Sequence, residues 1–178
     1  MKKAEALEFA ILGILQDGPI HGYELRKRLN QVLGSLRAIS FGSLYPALKK
    51  LRLRGDLVER AEDVTSRRRK IVYAVTPNGS KRFATMLTNT GPDAWDDDSF
   101  GLHFSFFSRS NSKLRTQILE GRRLRLAQRH AVLREILDGA HPGMDSYTLE
   151  LQRHGLEIIE HELRWLDGLI AAESKNID

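Results

Sequence analysis

Hydroxyl-bearing and cationic side chains share the segment 42–59 with a regular stripe of leucines. Ser43 and Tyr45 carry hydroxyl groups that can meet a phosphate or the edge of a base. Lys49 and Lys50 follow one turn later, and Arg54 adds a further cation. A helix in the major groove of DNA needs this combination of groups. These residues are therefore predicted to contact DNA, although the ring of Tyr45 could instead pack on the preceding helix and expose only its hydroxyl.

A second cationic cluster ends the polar segment 61–70, which separates two strand-like runs. Arg67, Arg68, Arg69 and Lys70 would project from the tip of a hairpin. Arginines placed in this way can enter the minor groove, where the negative potential is strongest in narrow A·T-rich stretches. These four residues are also predicted to contact DNA.

The distribution of charge along the chain supports a DNA-binding surface in the N-terminal half. The 178 residues have a formal net charge of +5. Residues 1–82 carry 17 Lys and Arg against 8 Asp and Glu, whereas the remainder carries 11 against 15. Positive charge is thus concentrated where phosphates would be neutralised. A solvated basic surface is the simpler interpretation of a mild excess taken alone.

Three helices with short turns are expected to position the cationic segment. Residues 4–16 are apolar on nearly all sides of a helix, which predicts a central place in a core or an interface. Residues 21–33 form a second amphipathic pattern after a turn. The third helix is predicted to begin near Ser43 as N-cap, to hold Pro46 in its first turn and to end at Gly55.

A winged hairpin is expected next, with strands at 57–60 and 70–76 around the polar tip. Thr76 and Pro77 then begin a helix that ends near Leu87. The sequence therefore predicts a mainly α fold with a small β-hairpin, in which a winged helix-turn-helix occupies the N-terminal half.

The C-terminal half is expected to form two long antiparallel helices used for dimerisation. They are predicted at 112–138 and from Asp145 or Ser146 to about 173, each about 40 Å long. An ordinary intramolecular hairpin is the alternative, but such a pair cannot bury both faces alone. Composition changes at 88–98, so domains are predicted at 1–92 and 93–178.

Three sequence blocks resemble the PadR family of bacterial transcriptional regulators. They are Gly-Tyr-Glu-Leu at 22–25, Gly-Ser-Leu-Tyr-Pro-Ala-Leu at 42–48 and Tyr-Ala-Val-Thr-Pro-Asn-Gly at 73–79. The C-terminal half is similar to the longer subfamily whose second domain is called virulence-activator-like. The resemblance implies a homodimeric repressor on a palindromic operator, and a structural role for His21. The cationic tip departs from a family pattern that often has glycine there.

The resemblance also implies a small aromatic effector. Trp95 and the aromatic cluster that includes Phe100, Phe104 and Phe107 are the candidate lining of its pocket. The alternative is that these rings belong to a hydrophobic core.

Other functional classes find little support in the sequence. No cysteine is present, and no phosphate loop or catalytic triad spacing occurs, so neither an enzyme nor a cofactor is predicted. His154, Glu157 and His161 share one helical face, but a solvated polar stripe is favoured over a metal site. A cytoplasmic protein is expected because neither a long apolar run nor a signal peptide is evident.

Two functions compete with the sequence-specific regulator. One is an architectural protein that binds DNA without sequence preference. The other is an interaction module whose basic surface binds an acidic protein.

Overall fold

The structure, a computed structural model, describes residue 1 and residues 3–33, 41–61, 71–139 and 143–175. Contacts divide the chain into two compact units. The N-terminal unit comprises Met1–Asn89 and Asp97–Arg109, and the C-terminal unit comprises Thr90–Asp96 and Ser110–Asp178. The domain boundary near residue 92 stays a prediction, because compactness does not measure independent folding.

The N-terminal unit combines helices with a three-stranded antiparallel sheet in the order β1-β3-β2. Its main elements are α1 (Lys3–Leu15), β1 (Ile20–His21), α2 (Gly22–Leu33), α3 (Phe41–Leu53), β2 (Leu57–Ala61), β3 (Ile71–Val75) and α4 (Pro77–Leu87). The short helix α6 (Phe100–Phe104) and a 3-10 turn (Phe107–Arg109) also belong to it. The expected fold class, mainly α with a small winged sheet, is confirmed.

Helix α1 lies at the centre of this unit, as its apolar sequence predicts. Phe9 and Leu12 are fully buried. The ring of Phe9 stacks on Phe83 of α4 at a centroid distance of 5.3 Å. It also packs against Phe106 at 5.4 Å, which ties the segment after α6 to the core.

Helix α3 begins two residues earlier than predicted, at Phe41. Ser43 is therefore not its N-cap, and Pro46 lies in the helix interior. Proline has no N–H for the carbonyl four residues back, which is that of Gly42. Both residues are exposed, so water can hydrate that carbonyl. Gly55 ends the helix as predicted: its φ is +74°, and the Asp56 N–H donates to the Leu51 carbonyl at 2.9 Å.

The sheet contains the predicted hairpin strands and one strand that the sequence analysis missed. Strands β2 and β3 pair with Leu57 opposite Val75. Residues 20–21, predicted as a turn and a helix start, pair instead with the other edge of β3, with Ile20 opposite Tyr73. Residues 62–70, including the predicted tip, lie outside the described residues.

Helix α4 begins as predicted. Thr76 is the N-cap, and its Oγ1 accepts a hydrogen bond from the Gly79 N–H at 3.1 Å. Pro77 occupies the first turn, where its missing N–H has no intrahelical partner to lose.

The C-terminal unit consists of α5 (Pro92–Trp95), α7 (Ser112–Asp138) and α8 (Ser146–Ser174). The two long helices agree with the predicted spans. They run antiparallel, because Ser112 at the start of α7 donates to Glu173 near the end of α8 at 2.9 Å. Ile118 and Leu119 of α7 and Leu166 of α8 are buried. No helix in the described ranges is long and apolar enough to cross a membrane.

Candidate nucleic-acid interface

The exposed residues of α3 fall into three lines along the helix. Its core side is fixed by Leu44, Leu48 and Leu51, which are at most 1% exposed. With 3.6 residues per turn, the positions opposite this side form an outward line consisting of Gly42, Pro46, Lys49 and Leu53. One flank, the groove line, carries Tyr45 and Arg52. The other, the network line, carries Ser43 and Lys50 and continues to the partly exposed Arg54 in the turn after the helix.

The outward line combines small residues with one cation. Gly42 and Pro46 have little or no flexible side chain, so a ligand can approach the helix closely there. Lys49 is exposed and makes no ion pair with any described residue. Leu53 is 74% exposed. This line can place an ammonium group and a helix backbone against an extended anionic partner.

A groove with a volume of about 510 Å³ lies beside the groove line. It is lined by His21, Gly22, Tyr23, Glu24, Tyr45, Ile71 and Tyr73. A Cβ at Gly22 would lie 3.3 Å from the Tyr73 ring and 3.9 Å from the Tyr45 hydroxyl, so glycine leaves room for both. The alternative in which Tyr45 packs its ring and exposes only its hydroxyl does not agree with the structure, because the residue is 49% exposed.

Tyr73 forms a buried part of this groove, being 3% exposed. Burial raises the pKa of its phenol, and the negative charge of Glu59 adds to the effect. The phenol therefore stays protonated and can donate a hydrogen bond. Tyr23 and Tyr73 line the groove, and the sequence reasoning did not predict either of them. The only available signal was their place in the Gly-Tyr-Glu-Leu and Tyr-Ala-Val-Thr-Pro-Asn-Gly blocks.

The network line is paired with carboxylates of the unit itself. The Lys50 ammonium lies 2.8 Å from Glu8 Oε1, and Arg54 Nη2 lies 2.8 Å from Glu8 Oε2. Arg54 Nε also bonds Asp56 at 3.0 Å. Two of the residues predicted to contact DNA are thus held by internal partners that sequence spacing did not reveal.

Glu8 itself is only 3% exposed. Burial opposes its ionisation, but the hydrogen bonds and charges of Lys50 and Arg54 outweigh that effect and lower its pKa. The carboxylate is therefore ionised at neutral pH and gives the two cations a fixed partner.

The other residues predicted to contact DNA are Ser43 and the four cations of the predicted hairpin tip. Ser43 is exposed on α3. Arg67, Arg68, Arg69 and Lys70 lie outside the described residues.

The four candidate effector residues are divided between the two units. The rings of Phe100 and Phe104 are 5.8 Å apart, and those of Phe104 and Phe107 are 4.9 Å apart, so these three form one aromatic cluster. Trp95 belongs to the C-terminal unit, where its Nε1 donates to the Thr90 carbonyl at 3.1 Å. None of the four lines the groove.

Two further features of α8 bear on partners. His154, Glu157 and His161 are exposed, and no group of three metal-ligating side chains is close enough to hold an ion within the described residues. Leu151, Ile158 and Trp165, spaced seven residues apart, are 66%, 52% and 41% exposed. This apolar line is the exposed stripe of α8.

Comparison with known proteins identifies the segment that contains this interface. Residues 11–85 match the model of the transcriptional regulator PadR-like family. This segment is a PadR-like domain. The resemblance predicted from the three sequence blocks is confirmed, since all of them lie within the matched residues. The family that this segment matches consists of transcriptional regulators rather than enzymes.

The similarity to other proteins covers most of the chain. A curated relative, the negative transcriptional regulator PadR of Bacillus subtilis (strain 168), is 26% identical over 180 residues, which cover 96% of this chain and 98% of the relative. Two solved structures of Bacillus subtilis PadR are each 21% identical in sequence to this chain. The complex with operator DNA has a TM-score of 0.47, with coverage of 92% of this chain and 97% of that chain. The complex with p-coumaric acid has a TM-score of 0.43, with coverage of 98% of each chain.

The PadR-like domain contains α3, the groove and both strands of the wing. Glu8 precedes the matched residues, yet it contacts Lys50 of α3 and Arg54 in the turn that follows. The interface is therefore built largely, but not wholly, from residues within the family match.

Proposed function

We propose that the chain is a homodimeric repressor that binds a palindromic operator through α3 and the 61–70 wing. The observation that carries this proposal is the outward line of α3, which presents Lys49 next to Pro46 and opposite the buried leucines. A helix of this kind can approach base edges while its cation neutralises a phosphate. The curated relative's description as a negative regulator supports repression.

The tyrosine-lined groove extends the proposed interface on one side of α3. Tyr23 is 74% exposed, and Tyr45 reaches the groove from the helix itself. Phenolic hydroxyls donate hydrogen bonds to phosphate oxygens. Ile71, which follows the Arg67–Lys70 run directly in sequence, lines the same groove. A strand of the duplex backbone would therefore pass between α3 and the first residue of β3.

Dimerisation through the C-terminal half is the second part of the proposal. The exposed stripe of α8 is apolar at a regular spacing, which is typical of a helix that packs against a partner. We infer that residues 93–178 serve dimerisation and residues 1–92 serve DNA binding. Two copies would then present two reading helices to half-sites separated by one or two turns of DNA.

A small aromatic effector is the third part. The family resemblance supports it, and p-coumaric acid is the ligand in one solved structure of Bacillus subtilis PadR. Trp95, Phe100, Phe104 and Phe107 are the proposed lining. Quenching of tryptophan fluorescence by p-coumaric acid, lost in Phe104→Ala, would support this site. Operator binding that never responds to phenolic acids would contradict it.

The decisive experiment for repression is a footprint with competition. The DNA upstream of the gene that encodes this chain is incubated with the protein and a large excess of unrelated duplex. The salt concentration is that of the cytoplasm, where we infer that the protein acts. A protected inverted repeat that survives the competitor supports the regulator. Protection that spreads evenly and vanishes with competitor would instead indicate an architectural protein. Failure to bind any duplex at low salt would favour an acidic protein partner.

A further inference from the structure

A buried carboxylate of α1 lies at the centre of three cations. The carboxylate of Glu8 lies 2.8 Å from the Lys50 ammonium of α3, 2.8 Å from Arg54 in the turn after α3, and 3.3 Å from Arg82 of α4. The side chain of Glu8 is 3% exposed, whereas that of Lys50 is 59% exposed. The carboxylate is fixed in the core, and the lysine reaches it from the surface.

A second buried carboxylate completes the cluster, which we call the Glu8 network. Asp56, directly after α3, bonds Arg54 Nε at 3.0 Å and lies 3.8 Å from Arg82 Nε. Its other oxygen accepts a hydrogen bond from Asn78 Nδ2 at 2.9 Å. Two carboxylates are therefore surrounded by three cations and an amide, so neither buried charge lacks a partner.

The Glu8 network divides the cations of α3 into two sets. Lys50 and Arg54 are four residues apart and lie on the network line, facing the carboxylates. Lys49 is rotated by about 100° from Lys50 and lies on the outward line. A phosphate that bound the Lys50 ammonium would have to compete with a contact already made to Glu8.

We propose that Glu8 is a positioning residue for the recognition helix. It holds Lys50 and Arg54 against the core, so that of the two neighbouring lysines Lys49 is the one that neutralises a phosphate. This inference rests on the proposed DNA-binding function and refines it, because it removes two cations from the interface that the sequence predicts.

The first test compares the two neighbouring lysines. Binding to one duplex, recovered by selection from random sequences, is measured over a range of salt concentrations. Each phosphate contact contributes about 0.9 to the slope of log affinity against log salt. Lys49→Gln should make the slope shallower by about 0.9 for each bound protomer, and Lys50→Gln should leave it unchanged. An equal loss of slope in both variants would overturn the inference.

The second test releases Lys50 from its partner. Glu8→Gln keeps the size of the side chain and removes its charge, so the slope should become steeper by about 0.9 for each protomer. The double variant Glu8→Gln/Lys50→Gln should return to the wild-type slope. Glu5→Gln is the matched control, because Glu5 is an exposed carboxylate of the same helix. An identical change in both glutamate variants would indicate overall charge only and would contradict a role for Glu8.

The two proposals fail in different ways. A wild-type protein whose affinity for every selected duplex is undetectable at low salt would overturn the DNA-binding function and this inference with it. A wild-type protein that binds, but in which Lys50→Gln acts like Lys49→Gln, would overturn the inference alone. If Glu8→Gln does not fold, the comparison of the two lysine variants still decides.

Discussion

Neighbouring residues of α3 differ in their partners although they have the same chemical type. Lys49 and Lys50 are adjacent lysines, yet one faces outward and the other contacts Glu8. The difference follows from the rotation of about 100° between successive helical positions. Charge alone therefore does not assign a lysine to the DNA interface, and its internal partners must be known.

The stability of the Glu8 network should depend on pH. The pKa of Glu8 is lowered in the folded state from its ordinary value of 4.5, against the effect of burial, by Lys50 and Arg54. A lowered carboxylate pKa stabilises the fold above the unfolded value, and this stabilisation is lost as the pH falls through the folded value. Glu8→Gln should cost about 1.5–3 kcal/mol of unfolding free energy at pH 7, the usual range for charged hydrogen bonds.

Denaturant unfolding at pH 7 and at successively lower pH checks this prediction. The difference between wild type and Glu8→Gln should shrink below about pH 4.5, where the unfolded carboxyl becomes protonated. The control Glu5→Gln should unfold like the wild type at pH 7. A wild-type advantage that remained constant down to acid pH would exclude the ionised carboxylate as its source.

The sequence identified the residue types of the site better than their partners. Lys49 is predicted to contact DNA and is exposed on α3, and so is Tyr45, for which the sequence leaves a packed ring open. Lys50 and Arg54 were chosen by the same reasoning, but their carboxylate partner Glu8 lies more than 40 residues earlier in the chain. Helical periodicity reports only local neighbours, so it could not show that an apolar helix would place a carboxylate beneath them.

At the scale of elements, tight packing fixes the position of α4 against the end of α3. A Cβ at Gly79 would overlap the backbone carbonyl oxygen of Asp56. The Thr76 N–H also donates to that oxygen at 3.1 Å. Because the obstacle is backbone rather than a flexible side chain, the turn after α3 would have to move.

Gly79→Ala should therefore destabilise the protein in spite of the higher helix propensity of alanine. Overpacking of this kind costs about 1–3 kcal/mol. Gly101→Ala in α6 is the matched control, since nothing lies within 4 Å of a Cβ at that position. It should be neutral or slightly stabilising. Thermal unfolding of the two variants measures the contrast, and equal melting temperatures would show that the α4 contact is not rigid.

Elements with strong local signals were predicted well, and elements that depend on distant pairing were not. The spans of α7 and α8 and the N-cap at Thr76 follow from periodicity and capping residues. Strand β1 has only two residues, and it exists because β3 offers a free edge more than 50 residues later. The early start of α3 is not evident from the sequence, because a serine followed three residues later by a proline is also the pattern of an N-cap and a first helical turn.

At the scale of the whole molecule, charge and apolar surface are segregated along the chain. The basic excess lies in residues 1–82, whereas the remainder is acidic overall. The C-terminal helix α8 exposes the apolar stripe of Leu151, Ile158 and Trp165. This division is what a two-copy DNA reader requires, because one half must meet phosphates while the other meets its own copy.

The final prediction tests that division through the exposed stripe of α8. Ile158→Glu places a carboxylate in the middle of the stripe, and a buried charge without a partner costs about 3 kcal/mol or more. The dimer dissociation constant should then rise by at least about a hundredfold. Light scattering after gel filtration should give half the wild-type mass, and operator affinity should fall because the two half-sites are no longer bound together.

Ala171→Glu is the control for this change. Ala171 is exposed on the same helix, and by helical spacing it lies away from the stripe. That variant should keep the wild-type mass and the wild-type operator affinity. If Ile158→Glu keeps the wild-type mass while its helices remain folded by circular dichroism, the stripe is not the dimer contact. If it becomes monomeric but still binds the full operator at the wild-type affinity, dimerisation is not what places the two reading helices on DNA.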